Sequence, residues 1–278
     1  MKYPRIFSVD SAKAIKAQEF GYLNAIQYMA PANSSGKNLC SHASPGCIAI
    51  CLGWFSGQAS MVTDLEAGTN AARDSRLLKS RLFMSERPIY LNQIVCGIVD
   101  VIRAANRQGL KPCIRLNGST DLAFERFKFD LNDKTAAKVL RLFAELNLCP
   151  PVCPPSDKIQ NVTIHGLFSF VQFVDYTKVK SRFKTAPANL NLTFSRSEIN
   201  LNDCLEVLAQ GHNVAVVFGD TLPKTLWGYD VINGDLHDLR HLDRQGVIVG
   251  LSPKGHKAKH DISGFVFRGA VPELELAA

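Results

Sequence analysis

The sequence predicts a single α/β domain over residues 1–278, arranged as a partial or complete (β/α) barrel. Three observations carry that expectation. Apolar runs of strand length alternate with segments of helical periodicity, the pattern of a parallel sheet with helical crossovers. About six such strand runs occur along the chain. Most end in a small polar segment, and strand C-termini carry the site in barrels and open α/β sheets alike. A doubly wound open sheet is the alternative.

Residues 22–30 (YLNAIQYMA) read as the first strand, broken by loop chemistry at 31–36 (PANSSG). Residues 56–83 suit a helix. Pro88 marks the start of a second helix, where its missing N–H costs little. Ile89, Ile94, Val95, Ile98, Val99 and Ile102 then recur at helical spacing up to Gly109. Residues 111–116 (KPCIRL) form a strand that ends in 117–121 (NGSTD), and 134–146 form a helix. An apolar strand over 167–174 ends in 175–178 (DYTK), and the next, 189–194 (NLNLTF), ends in 195–198 (SRSE). Residues 201–209 suit a helix with Gly211 at its C-cap. Residues 213–218 (NVAVVF) and 247–251 (VIVGL) complete the strands.

At 278 residues and 46% hydrophobic content the chain can bury a full core. No uninterrupted apolar run approaches the roughly 18 residues of a membrane span. The first residues lack the apolar stretch of a secretory signal. The expected location is therefore the cytoplasm, with no membrane partner. A net charge of +7 favours anionic partners, nucleotides or nucleic acid among them. Eight cysteines in a chain without a signal read as thiols or metal ligands rather than a disulfide framework. Cys96, Cys113 and Cys204 lie in apolar stretches and read as small core residues.

The Cys-rich loop 38–53 is the most informative segment. Cys40, Cys47 and Cys51 stand in Cys-x6-Cys-x3-Cys spacing. Three thiolates on one loop can hold three corners of an iron–sulfur cluster and leave one iron open. A structural zinc would need a fourth ligand, for which His42, Cys149 or Cys153 could serve. Three unligated thiols are the remaining alternative.

A first strand followed by a Cys-rich loop resembles radical S-adenosylmethionine enzymes, which bind a 4Fe–4S cluster after strand one of a partial barrel. The segments LCSHASPGCIAIC, RLNGSTD, DYTK and GDLHDLRHLD with GVIVGLSPKG are also similar to a phage family, the gene product eighty-eight proteins. The second resemblance implies phage origin, a bacterial host cytoplasm, and no particular reaction. The first implies a fold like that of the radical enzymes and S-adenosylmethionine as a further cofactor. Under it, Cys40, Cys47 and Cys51 hold the cluster. Asn117, Ser119 and Asp121 lie at one cofactor-binding strand end, and Ser195, Arg196 and Glu198 at another, with Arg196 pairing a carboxylate.

Three other segments stand out. Cys149 and Cys153 bracket a proline-rich stretch that reads as a rigid loop. His237 and His241 stand at i and i+4, which on a helix would share one face. The basic C-terminal segment 252–278, with Lys178, Lys180, Arg182, Lys184 and Arg268, could form one positive face for phosphates. The leading expectation is an iron–sulfur enzyme of the radical type acting on a nucleotide or nucleic acid. The alternative is a nucleic-acid-binding phage replication protein with a structural metal.

Overall fold

The structure, a computed structural model, describes residues 5–149 and 158–269. Its strands are β1 (Phe7–Ser8), β2 (Tyr22–Gln27), β3 (Lys111–Arg115), β4 (Gln172–Thr177), β5 (Leu190–Ser195), β6 (Asn213–Val217), β7 (Thr225–Leu226), β8 (Tyr229–Asn233) and β9 (Ile248–Leu251). The helices are α1 (Ala12–Lys16), α2 (Pro45–Ala49), α3 (Leu52–Phe55), α4 (Ala71–Ser85), α5 (Arg87–Arg107), α6 (Asp133–Glu145), α7 (Ile164–Leu167), α8 (Leu201–Ala209) and α9 (His256–Lys259).

All nine strands join one sheet in the order β1-β2-β3-β4-β5-β6-β9-β8-β7. From β2 across to β8 every neighbour is parallel. The order advances in one direction from β1 to β6. The sheet does not close, which corrects the complete barrel. Each edge carries a two-residue antiparallel strand, β1 on β2 and β7 on β8, and such short edges offer little to pair with.

Register decides which side chains face the helices. Ala25, Ile114 and Phe173 are neighbours on one face, and Asn24, Cys113 and Gln172 on the other. The first face packs on α5 and α6 in a continuous core containing Leu23, Ala25, Ile94, Ile98, Val139, Leu142 and Leu192. α8 covers β5 and β6 through Cys204, Val207 and Leu208 against Phe194, Val214 and Val216. On the opposite face Ala17, Cys113, Val174 and Leu239 meet, so the segment after β8 folds back across the strands. Lys13 on α1 fastens that segment to the first edge by ion pairs to Asp235 (3.3 Å) and Asp238 (3.1 Å).

α5 is long and apolar enough to cross a membrane by length and composition. Yet 56% of its apolar window is buried in this core, which is how a central helix of an α/β sheet behaves.

Several local expectations change. The helix expected over 56–83 begins only at Ala71, capped by Asn70 Oδ1 on the Arg73 N–H at 3.0 Å. Before it the chain turns at Gly57 (φ 54°) and is sewn down by fully buried Arg73. That guanidinium donates to the carbonyls of Trp54, Ala59, Leu65 and Gly68. The strand expected from 167 begins at Gln172, because Thr163 caps the short α7 first. His237 and His241 share no helix face: only Arg240–Leu242 is helical, as a single 3-10 turn. His237 packs edge-on to Phe20, and His241 to Tyr22. Cys113 and Cys204 are buried as expected, while Cys96 is half-buried beside Thr135. Cys153 and residues 270–278 of the basic segment lie outside the described residues.

Candidate functional site

The C-terminal ends of β2, β3, β4, β5, β6 and β9 border one cavity of about 840 Å³. Tyr28 follows β2, Arg115 closes β3, Tyr176 and Thr177 close β4, Ser195 closes β5, Val217 closes β6 and Leu251 closes β9. The Cys-rich loop adds Cys40, Cys47 and Cys51 to the same lining. A second hollow, about 740 Å³ against β1 and α5, contains neither these cysteines nor the other strand ends.

The loop is fixed at each cysteine. Cys40 Sγ accepts the Ala32 N–H at 3.4 Å and lies 3.7 Å from the Ser119 carbonyl. The Leu39 carbonyl accepts the Asp121 N–H at 3.0 Å, tying the loop to the end of β3. Cys47 sits on α2, whose N-cap Ser44 accepts its N–H at 3.2 Å. Cys51 is the N-cap of α3. Gly53 there presses on Ser119 so closely that a Cβ would overlap the serine side chain. Arg76 donates to the Gly53 carbonyl and stacks over Tyr28 at 4.9 Å.

None of the three thiols is in a disulfide. Burial pushes Cys40 up to about 11 and Cys51 up to about 12, and Cys47 adds to both. A bound cationic metal centre would reverse that and hold the sulfurs as thiolates. The donor set therefore suits a soft, thiolate-bound group with an open corner. Neither His42 nor Asp121 is free to serve as a fourth ligand. His42 is exposed and pairs with Ser41 at 2.9 Å, and both Asp121 oxygens are taken. Nor do three His, Cys, Asp or Glu side chains among the described residues gather as they would around a single ion.

The other expected site residues lie at this end of the sheet, and most use their side chains to build it. Asn117 is buried, donates to the Leu122 carbonyl and Asp175, and accepts from Thr120 and Leu122. Ser119 donates to the Met29 carbonyl. Asp121 accepts from Thr177, the Lys178 N–H and Arg182, joining β3 to β4. Ser195 and Arg196 line the cavity, but Arg196 donates to the carbonyls of Gly264 and Phe265 rather than to a carboxylate. Glu198 stands at the start of α2, accepting from Ser44 Oγ at 2.7 Å and the Gly46 N–H at 2.8 Å. It positions the Cys47 helix.

Several cations of the expected positive face are paired with carboxylates of the chain itself. Lys180 pairs with Asp203 and Glu206, Lys254 with Asp235 and Lys257 with Glu66. Arg182 is buried among Asp121, Glu125 and Asp175. These cations are spent on intramolecular carboxylates, which charge counting along a sequence does not reveal. Sequence reasoning also passed over Tyr28, Arg76 and Arg115, whereas Tyr176 of the DYTK segment reads from the sequence as a strand end inside the site, which is where it lies. For Arg115 the available signal was a charged side chain at the end of a strand; Arg76 lies on α4 and Tyr28 just past β2, where no strand pattern marks them.

Fold and site thus define an α/β protein with a strand-end cavity walled by a three-cysteine loop. A family model described as Gene product 88 matches residues 5–269. The chain belongs to that family, the phage gene-product family to which its cysteine segment is similar. No curated protein and no solved structure matches it.

Proposed function

We propose that the chain is an iron–sulfur enzyme of the radical S-adenosylmethionine type, acting on a nucleotide-sized anionic substrate. One observation carries the reading. The cysteine loop follows the first parallel strand and borders a cavity formed by the ends of six parallel strands. Ends of strands this far apart in the sheet border one hollow when the sheet curls, and a partial barrel is part of the proposal. Cys40, Cys47 and Cys51 would hold three irons of a 4Fe–4S cluster.

Held by Cys40, Cys47 and Cys51, such a cluster would supply the reducing chemistry that cleaves S-adenosylmethionine to a radical able to take hydrogen from a substrate. The chain's own residues do the rest. Leu39, Ile50 and the buried Ser44 keep water from the back of the cysteine loop. Asn117, Ser119 and Asp121 hold the turn after β3 rigid beside it. Ser195 and Lys178 leave polar groups at the cavity wall for a cofactor's amino acid portion. A cavity of about 840 Å³ has the size of a small-molecule chamber.

The test compares wild type with Cys47→Ala after anaerobic purification and reconstitution. The variant is expected to lose iron and acid-labile sulfide together while keeping its circular dichroism. Full stoichiometry of both in the variant refutes the assignment.

A further inference from the structure

The charge balance of the cavity is uneven. Its acids are mostly engaged: Asp235 and Asp238 by Lys13 and Lys254, Asp121 by Arg182, and Asp10 by the Ser8 hydroxyl. By contrast, Arg76, Lys79, Arg115 and Lys178 line the cavity with no ion pair among the described residues. Burial disfavours the charged forms of Arg76 and Lys79, a cost that an anionic occupant would offset, whereas Arg115 already feels the carboxylates of Asp238 and Asp175. Arg76 and Lys178 stand near the cysteines. Arg115 has Tyr28, Tyr176, Asp175 and Asp238 around it.

Arg115 is also prepared for a ligand. Its Nε donates to the Asn117 carbonyl at 3.1 Å, and its plane lies over the Tyr176 ring at 4.5 Å. Those two contacts fix the guanidinium. Among the described residues neither Nη atom donates to a protein group, which leaves one edge of the fork for a planar or tetrahedral oxyanion.

We infer that Arg115 anchors an acidic group, a carboxylate or a phosphate, on a small substrate bound in the cavity that the cysteines also line. The inference rests on the cavity being the reaction chamber, and does not depend on iron. It names the substrate class as a small organic acid or phosphate ester.

The experiment titrates full-length protein with inorganic phosphate and, separately, with succinate, by calorimetry at low salt. One of the two is expected to bind saturably at one site, and the tighter arm says which oxyanion the site was built for. Arg115→Gln should weaken that binding by at least about tenfold, with Arg115→Lys in between. Labelling of wild type with phenylglyoxal gives a readout that needs no variant. The Arg115 peptide should be protected by the bound anion. No saturable binding of either anion, unchanged affinity in Arg115→Gln, or unprotected Arg115 overturns the inference. Protein that takes up no iron on reconstitution but still binds the anion through Arg115 refutes the cluster and leaves the anion site standing. Cluster-bearing protein indifferent to Arg115 does the reverse.

Discussion

Glu198→Ala isolates what holds the cysteine loop in place. The carboxylate accepts from Ser44 Oγ at 2.7 Å and from the Gly46 N–H at 2.8 Å, both at the start of the helix that carries Cys47. Hydrogen bonds to a charged acceptor are worth about 1.5–3 kcal/mol each. Two that share one half-exposed carboxylate do not add fully, so the loss should be about 2–3 kcal/mol. In a chain of this size that is roughly a 5–10 °C fall in Tm. Glu198→Gln keeps one acceptor and the shape, and should cost about 1 kcal/mol. Burial opposes ionisation of Glu198, but the hydrogen bonds from Ser44 and from the backbone N–H groups of Glu198 and Gly46 outweigh it. Its carboxyl therefore titrates below the ordinary range. A depressed carboxyl contributes stability that is present above its unfolded pKa and lost as pH falls through its folded one. The gap between wild type and variant should thus close in acid. Urea denaturation at pH 7 and at pH 3.5 measures both effects. A variant within about 0.5 kcal/mol of wild type at pH 7 would show that Glu198 does not hold the loop.

Two further predictions concern the joints around the cavity. Arg182→Met leaves Asp121, Glu125 and Asp175 buried without their cation, and should cost about 3–5 kcal/mol at pH 7. Burial already pushes Asp175 up to about 6 against the pull of Arg182. Protonation relieves the orphaned carboxylates, so the deficit should shrink at pH 5, and a deficit that grows there contradicts the network. Gly53→Ala drives a methyl into the Ser119 side chain and should cost about 1–3 kcal/mol by displacing the cysteine loop. Its Tm and its iron content after reconstitution should fall together, and normal values of both would mean that the loop shifts freely.

The parallel framework was legible because its signals are local. The runs at 22–27, 111–115, 190–195, 213–217 and 248–251 are short, carry apolar residues at their centres and are bounded by turn residues. β8 escaped because its residues are half-buried or exposed and carry no apolar run, and β1 and β7 have two residues each. The irregular chain before α4 looked helical because its order comes from Arg73 reaching back to four carbonyls, a contact no periodicity encodes. At the site, the cysteines and the turn after β3 were visible as motifs. Glu198 looked like a ligand, since spacing does not distinguish a carboxylate that binds a cofactor from one that caps a helix across the sheet. Arg115 was overlooked in a five-residue strand whose inner face becomes apparent only with the sheet assembled.

The central claim is that the three cysteines hold an iron–sulfur cluster. Anaerobic reconstitution of the wild-type protein, followed by visible absorption with iron, sulfide and zinc analysis on one sample, tests it most directly. The account predicts a brown protein with about four irons and about four acid-labile sulfides per chain. A colourless protein holding one zinc, or no metal at all after reconstitution, would contradict it.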